Sequence, residues 1–158
     1  MTLPATLTEL RALPLFDSLP AGCIAHPVAD NEAAPHLRLG EFAVIDTVDR
    51  DPIHGELFVI RYRSPVYDLG YRDRIVQTNL RVYRSPAGED VRWWACPYQR
   101  PRSLDELHQW LNEGRMVGLS DGPYCPGMLE EKLVGRVVGL LASAVEGPRL
   151  ALPRRSRR

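Results

Sequence analysis

Lysine is almost missing from this chain: Lys132 is the single one, and the other nineteen basic residues are arginines. A mechanism that needs a lysine as proton acceptor therefore has one candidate, because a guanidinium stays charged at any ordinary pH. Cysteine is sparse as well. Cys23, Cys96 and Cys125 make an odd number with no C-x-x-C spacing, which argues against a disulfide framework and against a zinc site and leaves three thiols in a reducing compartment. No apolar run approaches the ~18 to 20 residues of a membrane span, and Met1 to Leu15 lacks a basic stretch followed by an apolar one, so the expected location is the cytoplasm with no membrane partner. Charge of one sign is not in excess either, since 20 acidic residues balance 20 basic ones. The chain as a whole thus lacks the basic footprint of a protein that tracks a phosphate backbone. A phosphate loop, a dinucleotide-binding fingerprint and an internal repeat are all missing, and no cofactor is implied.

What is present reads as a globular domain. A length of 158 residues with 44% hydrophobic and 25% charged side chains is enough to bury a core. Thr6 to Leu13 has the pattern of a short helix in an N-terminal extension (residues 1–30), too short for a helix-turn-helix domain. Apolar runs at Phe42–Ile45 and Leu57–Tyr62, bounded by turn formers, predict two strands. Arg74 to Tyr83 alternates, with Ile75, Gln77, Asn79 and Arg81 on one face and Val76, Thr78, Leu80 and Val82 on the other. Together with Val91–Cys96 beyond a loop at Ser85–Glu89 it predicts a hairpin. Ser103 and Glu106 form a capping box before Leu104, Leu107, His108 and Leu111, and Gly114 is placed to stop the helix. That helix is expected to lay its leucines on the sheet with Trp110 at its flank. Val117–Leu119 suggests a further strand and Ser120–Pro123 a turn. Lys132–Leu141 is the strongest strand pattern, its glycines at 135 and 139 pointing to a bend or a close backbone approach. The fold class is mainly β, a β-rich α+β domain over residues 31–146, followed by an Arg-rich tail over 147–158.

Four segments in order give this pattern a relative. Glu32 to Asp46 resembles the nucleophile segment of the LexA-like self-cleaving peptidases, the domain that pairs the subunits of such repressors, with Pro35, Gly40, Glu41 and Asp46 in register. Arg50 to Tyr62 is similar to the element that follows it, Gly118 to Tyr124 to the family's Ser-Asp-Asn turn and tyrosine, and Leu133 to Leu140 to its closing strand. The resemblance implies a LexA-like (signal-peptidase-like) β fold with a helix inserted near 103–113, within an interval, 63–117, that is longer than in a minimal member.

The departures bear on chemistry. A Ser-Lys peptidase needs a hydroxyl to attack the scissile carbonyl and a neutral lysine to take its proton. In register, the nucleophile position is Glu32 and the base position is Gln77, neither of which can do this. The resemblance therefore implies a catalytically inactive domain kept for dimerisation or protein binding, in phage-type or stress-response transcriptional regulation. It also implies a homodimer, with Leu133–Leu141 as the candidate pairing segment, and a residual cleft able to hold an extended peptide by strand addition.

Alternatives remain open. Ser120 and Lys132 are the one pair that could form a relocated dyad, acting on a bond such as Ala21–Gly22. Glu32 and Glu41 could serve an unrelated hydrolase. Arg154 and Arg155, in the tail, could touch nucleic acid. Trp93 and Trp94 could form an aromatic binding platform, although neighbours on a strand face opposite ways and one of them is expected in the core. His26, His36, His54 and His108 are scattered and suggest no metal site.

Overall fold

In the computed structural model residues 12–63 and 70–142 are described. The helix expected over Thr6 to Leu13 lies outside them except at Ala12 and Leu13, which are not helical, and the tail with Arg154 and Arg155 lies outside them entirely. The architecture is mainly β, an eight-stranded sheet with two short helices. The strands are β1 (Leu15–Phe16), β2 (Cys23–Pro27), β3 (Phe42–Asp46), β4 (Leu57–Arg63), β5 (Tyr71–Ser85), β6 (Gly88–Cys96), β7 (Asp121–Tyr124) and β8 (Leu133–Leu141). Between them come α1 (Leu104–Asn112) and α2 (Pro126–Lys132). The order is β2-β3-β8-β4-β5-β6-β7, antiparallel throughout, and β1 joins the far end of β8 in parallel.

β8 is central, bonded to β3 on one side and β4 on the other. Bulges at Val44/Ile45 and Val59/Ile60 pass over Val138 and Val134 and tighten the local twist. Its glycines mark close approach: a Cβ on Gly135 would meet the Asp46 carbonyl, and one on Gly139 would meet the Phe16 ring and the Pro14 carbonyl. β3 borders β8 along Arg136–Leu141, and β4 and β1 border its other edge at Leu133–Arg136 and Leu140–Leu141, so most of the Leu133–Leu141 segment lies inside the sheet rather than at its rim.

Each sheet face carries its own core. Leu57 and Val59 lie with Ala43, Ile45 and Val137 on the first face, beneath Val28, Ala33 and Leu37 of the loop that joins β2 to β3. Phe58, Ile60, Val76, Ala95 and Leu133 lie on the second, covered by Leu129 of α2. Strands buried on both faces read as unbroken apolar runs, which is why Leu57–Ile60 is buried at four successive residues. β5 differs. Its alternation predicts a solvated polar face, yet Val76, Gln77, Thr78 and Asn79 are all buried, because residues 97–100 turn back over it.

The helices bring three corrections. α1 begins where predicted, with Ser103 Oγ accepting the Glu106 N–H at 3.1 Å. It buries Trp110, however, and leaves Leu104 and Leu111 exposed at 73% and 57%. The segment Val117–Leu119 forms no strand, and the expected turn contains β7 instead, paired with β6. α2 was not anticipated, since seven residues give too little periodicity. It starts with Pro126, whose missing N–H is no loss there, and its last residue is Lys132, which therefore precedes β8 rather than opening it.

Candidate functional site

Glu32 and Gln77 sit on different elements and are held by consecutive residues of one segment. Asp30 Oδ1 accepts the Glu32 N–H at 2.8 Å, the Glu32 carbonyl accepts the Gln99 N–H at 3.1 Å, and the Gln99 side chain donates to the Ala34 carbonyl at 3.1 Å. The next residue, Arg100, donates through Nη1 to Gln77 Oε1 at 2.9 Å and to the Pro97 carbonyl at 2.7 Å, and its Nη2 reaches Asn79 Oδ1 at 3.4 Å. Gln77 in turn donates to the Gly55 carbonyl at 2.9 Å. Glu32 is thus tied to this segment through its backbone carbonyl, and Gln77 through the Arg100 guanidinium.

Neither group offers the hydroxyl nucleophile or the neutral amine of a Ser-Lys pair. The Glu32 carboxylate receives both Nε and Nη2 of Arg74 at 3.0 Å, and Gln77 has no titratable group. The cation over Gln77 is Arg100, whose pKa burial lowers, with the charges of Arg102 and Arg81 acting in the same direction and Cys96 opposing them. It remains a guanidinium, held by neutral oxygens. Among the described residues no carboxylate lies within ion-pair distance of it. Glu41 is also occupied, accepting the Arg38 N–H at 2.7 Å through Oε2.

Beside Glu32 opens a cleft of about 360 Å3, lined by Glu32, Gln99, Trp110, Arg115, Met116 and Gly118 among others. Arg115 stacks on Trp110 with its guanidinium carbon 3.6 Å from the ring centroid, and Met116 is 91% exposed. Gly118 is required on one wall, because a Cβ there would collide with the Pro97 ring and the Arg74 guanidinium. The lining thus combines a buried aromatic ring, the cation stacked on it, an exposed thioether and the Glu32 carboxylate. Trp110 and Arg115 were missed as site residues. The sequence signal was an aromatic three residues after Leu107, at the edge of the leucine stripe, which reads as a flank until the helix is placed.

The other candidates separate. Lys132 projects its ammonium over Tyr124 and Tyr62, 5.4 and 5.7 Å from their centroids. Tyr124 donates its hydroxyl to the Asp121 carboxylate, and burial first, then Asp121, pushes the pKa values of both phenols up. Ser120 is exposed, and no hydrogen bond joins it to Lys132 among the described residues. Trp93 packs against the second core. Trp94 faces the other way beneath Arg81, whose guanidinium is 5.8 Å from its ring, and its indole N–H is buried without a partner. The two tryptophans form no shared platform. Among the described residues no group of His, Cys, Asp and Glu could hold a metal ion, and no helix is long and apolar enough to cross a membrane. Comparison with protein-family models, with curated proteins and with solved structures found no match to this chain.

Proposed function

We propose that this chain is a catalytically inactive relative of the LexA-like peptidase domain, a cytoplasmic contact module that binds an extended peptide and pairs with a second copy in transcriptional regulation of phage or stress-response type. One observation carries the reading: the positions matching the family's nucleophile and base, Glu32 and Gln77, are gripped by adjacent residues, Gln99 and Arg100. Two positions far apart in sequence and dedicated to one site would converge in this way, and the chemistry of both has been replaced by structural hydrogen bonds. The cleft beside Glu32 supports the peptide role, since its size falls in the range of ligand sites and its lining pairs an aromatic anchor with a few polar groups.

The test has two arms. Random peptides displayed on phage and selected against the purified chain are expected to enrich a common sequence whose binding Trp110→Ala and Arg115→Ala each weaken at least about tenfold. Failure to enrich, or binding untouched by both substitutions, would overturn the peptide reading. In parallel, incubation at alkaline pH followed by intact-mass measurement is expected to leave the chain whole. Cleavage near Ala21–Gly22 that Ser120→Ala or Lys132→Ala abolishes would overturn the inactive reading in favour of a relocated dyad.

A further inference from the structure

One face of the β5–β6 hairpin gathers positive charge without a counterion. Residues directly opposite in an antiparallel pair share a face, so the register Gln77↔Cys96, Asn79↔Trp94 and Arg81↔Arg92 assembles one surface. Two guanidinium groups lie over it. Arg81 reaches diagonally back, its Nη2 3.3 Å from the Cys96 sulfur and its guanidinium carbon 5.8 Å from the centre of the Trp94 ring. Arg100 comes from the segment that covers β5 and spans Gln77 Oε1 at 2.9 Å and Asn79 Oδ1 at 3.4 Å. Arg102, two residues on, adds a third cation, and its charge and that of Arg81 both bear on Arg100. Arg81 and Arg102 are exposed, whereas Arg100 is half-buried.

Among the described residues none of these three arginines has a carboxylate within ion-pair distance. Two carboxylates of the neighbourhood are committed elsewhere: Asp90 pairs with Arg92 at 2.6 Å, and Glu106 accepts the Arg102 backbone N–H at 2.7 Å. Donors are left over on the same face. A thiol is a weak acceptor, so most of the Arg81 fork is unspent. The contact of Arg100 Nη2 with Asn79 is long for a hydrogen bond. The indole N–H of Trp94 is buried with no acceptor at all. Like charges and spare donors held this close favour an anion that answers them together.

We propose that Arg81, Arg100 and Arg102 form a binding site for a phosphomonoester dianion, with Arg100 at its half-buried base and the other two at its exposed rim. The chemistry of the cations selects the ligand. A carboxylate has two oxygens and a single charge, which one guanidinium fork satisfies. A phosphomonoester carries about −1.5 to −2 charges and three acceptor oxygens, enough to engage three arginines at once. A phosphodiester, with a single charge, is a poorer match, so the backbone of a nucleic acid is not the expected occupant. None of the three arginines lines the cleft beside Glu32, and the proposal does not rest on the peptide reading.

Calorimetric titration of the whole chain at low salt tests this with three probes: inorganic phosphate, phosphoserine blocked at both ends, and dimethyl phosphate. The first two are expected to bind one to one and to raise the unfolding temperature, and the monoanionic diester to bind at least about tenfold more weakly. Arg81→Gln and Arg102→Gln are each expected to weaken phosphate about tenfold with unchanged circular dichroism, since each removes a hydrogen bond to a charged group. Arg84 points to the opposite face of the hairpin and pairs with Glu89, so Arg84→Gln should leave binding unchanged. Trp110→Ala should also leave it unchanged, which separates this site from the cleft. Blocked phosphoserine binding at least about tenfold tighter than phosphate would identify a phosphorylated side chain as the source, and equal affinities the free ion. No binding of phosphate, dimethyl phosphate bound as tightly, or an equal loss in Arg84→Gln would overturn the proposal.

Discussion

Arg100 covers Gln77, donating to its side-chain oxygen at 2.9 Å where Gln77 is only 5% exposed. A half-buried cation satisfied by amide and carbonyl oxygens is sensitive to what replaces them. Gln77→Met removes an acceptor from a charged donor and is expected to cost about 1–3 kcal/mol. Gln77→Lys sets a second cation against the first and should cost more, about 3–5 kcal/mol. Gln77→Glu supplies a counterion to Arg100 but sets a carboxylate oxygen against the Gly55 carbonyl to which Gln77 donates, and is expected to fall between the parent and Gln77→Lys at neutral pH. Denaturant midpoints of the three variants check the order. If Gln77→Glu proved the least stable, Arg100 would not be the group that governs this position.

The glycines of β8 and α2 offer a contrast in which only the surroundings differ. Gly135→Ala drives a methyl into the Asp46 carbonyl, and Gly139→Ala into Phe16 and the Pro14 carbonyl. Neither backbone can yield without parting β8 from its neighbours, so each substitution is expected to cost about 2 kcal/mol or more. A Cβ on Gly127 meets nothing within 4 Å, and Gly127 lies in α2. Gly127→Ala should therefore be neutral or stabilise by up to about 1 kcal/mol. Thermal unfolding of the three variants side by side is the measurement.

Strands β3 to β6, β8 and the first helix were legible because their signals are local, whereas β1 and β2 were not, since Pro14, Pro20, Gly22 and Pro27 break the pattern around them. A capping box at Ser103 and Glu106, apolar runs at 42–45 and 57–62, and glycines at 135 and 139 each mark structure within a few residues. What failed were readings that depend on which face a neighbour covers. Gln77 and Asn79 look like solvated positions of an alternating strand until residues 97–100 cover them, and Trp110 looks like a flank until α1 is laid against the cleft. β7 contains Gly122 and Pro123, turn formers by any local rule, and takes strand geometry only because β6 lies beside it. Of the residues that line the cleft, Glu32 alone was singled out from the family pattern, whereas Trp110 and Arg115 carry no pattern and are joined to Glu32 only by the fold.

The burial of α1 on its Leu107–Trp110 side is itself testable. Trp110→Ala is expected to destabilise by about 3–5 kcal/mol, the cost of emptying a large aromatic site. Leu104→Ala and Leu111→Ala, which the spacing alone would rank as damaging, should change stability by less than about 0.5 kcal/mol. Ser103→Ala removes the acceptor for the Glu106 N–H and is expected to cost about 1 kcal/mol. Equal losses at Leu104 and Trp110 in urea unfolding would mean that the helix lies on its leucine face after all.

Acid should weaken the fold in two separable steps. Burial holds the His36 pKa below its ordinary value of 6.5, and its Nε2 lies 3.0 Å from the Tyr98 hydroxyl oxygen. His26 is also lowered, by burial first, with the Asp73 charge opposing and the Arg61 charge assisting. With both folded values depressed, the unfolded chain binds more protons just below pH 6.5, so stability is complete above that pH and falls as pH drops through the window beneath it. Asp73 acts lower. Arg61 donates to it through Nε at 2.7 Å and Nη2 at 2.8 Å and holds its carboxyl below the ordinary 3.8, so its contribution is complete above pH 3.8 and is lost on further acidification. Urea midpoints followed from pH 8 to pH 3 are expected to show both limbs. A chain carrying His26→Gln and His36→Gln should lose the upper limb and keep the lower, and Asp73→Asn should do the reverse. An upper limb that survives both histidine substitutions would assign it to other groups.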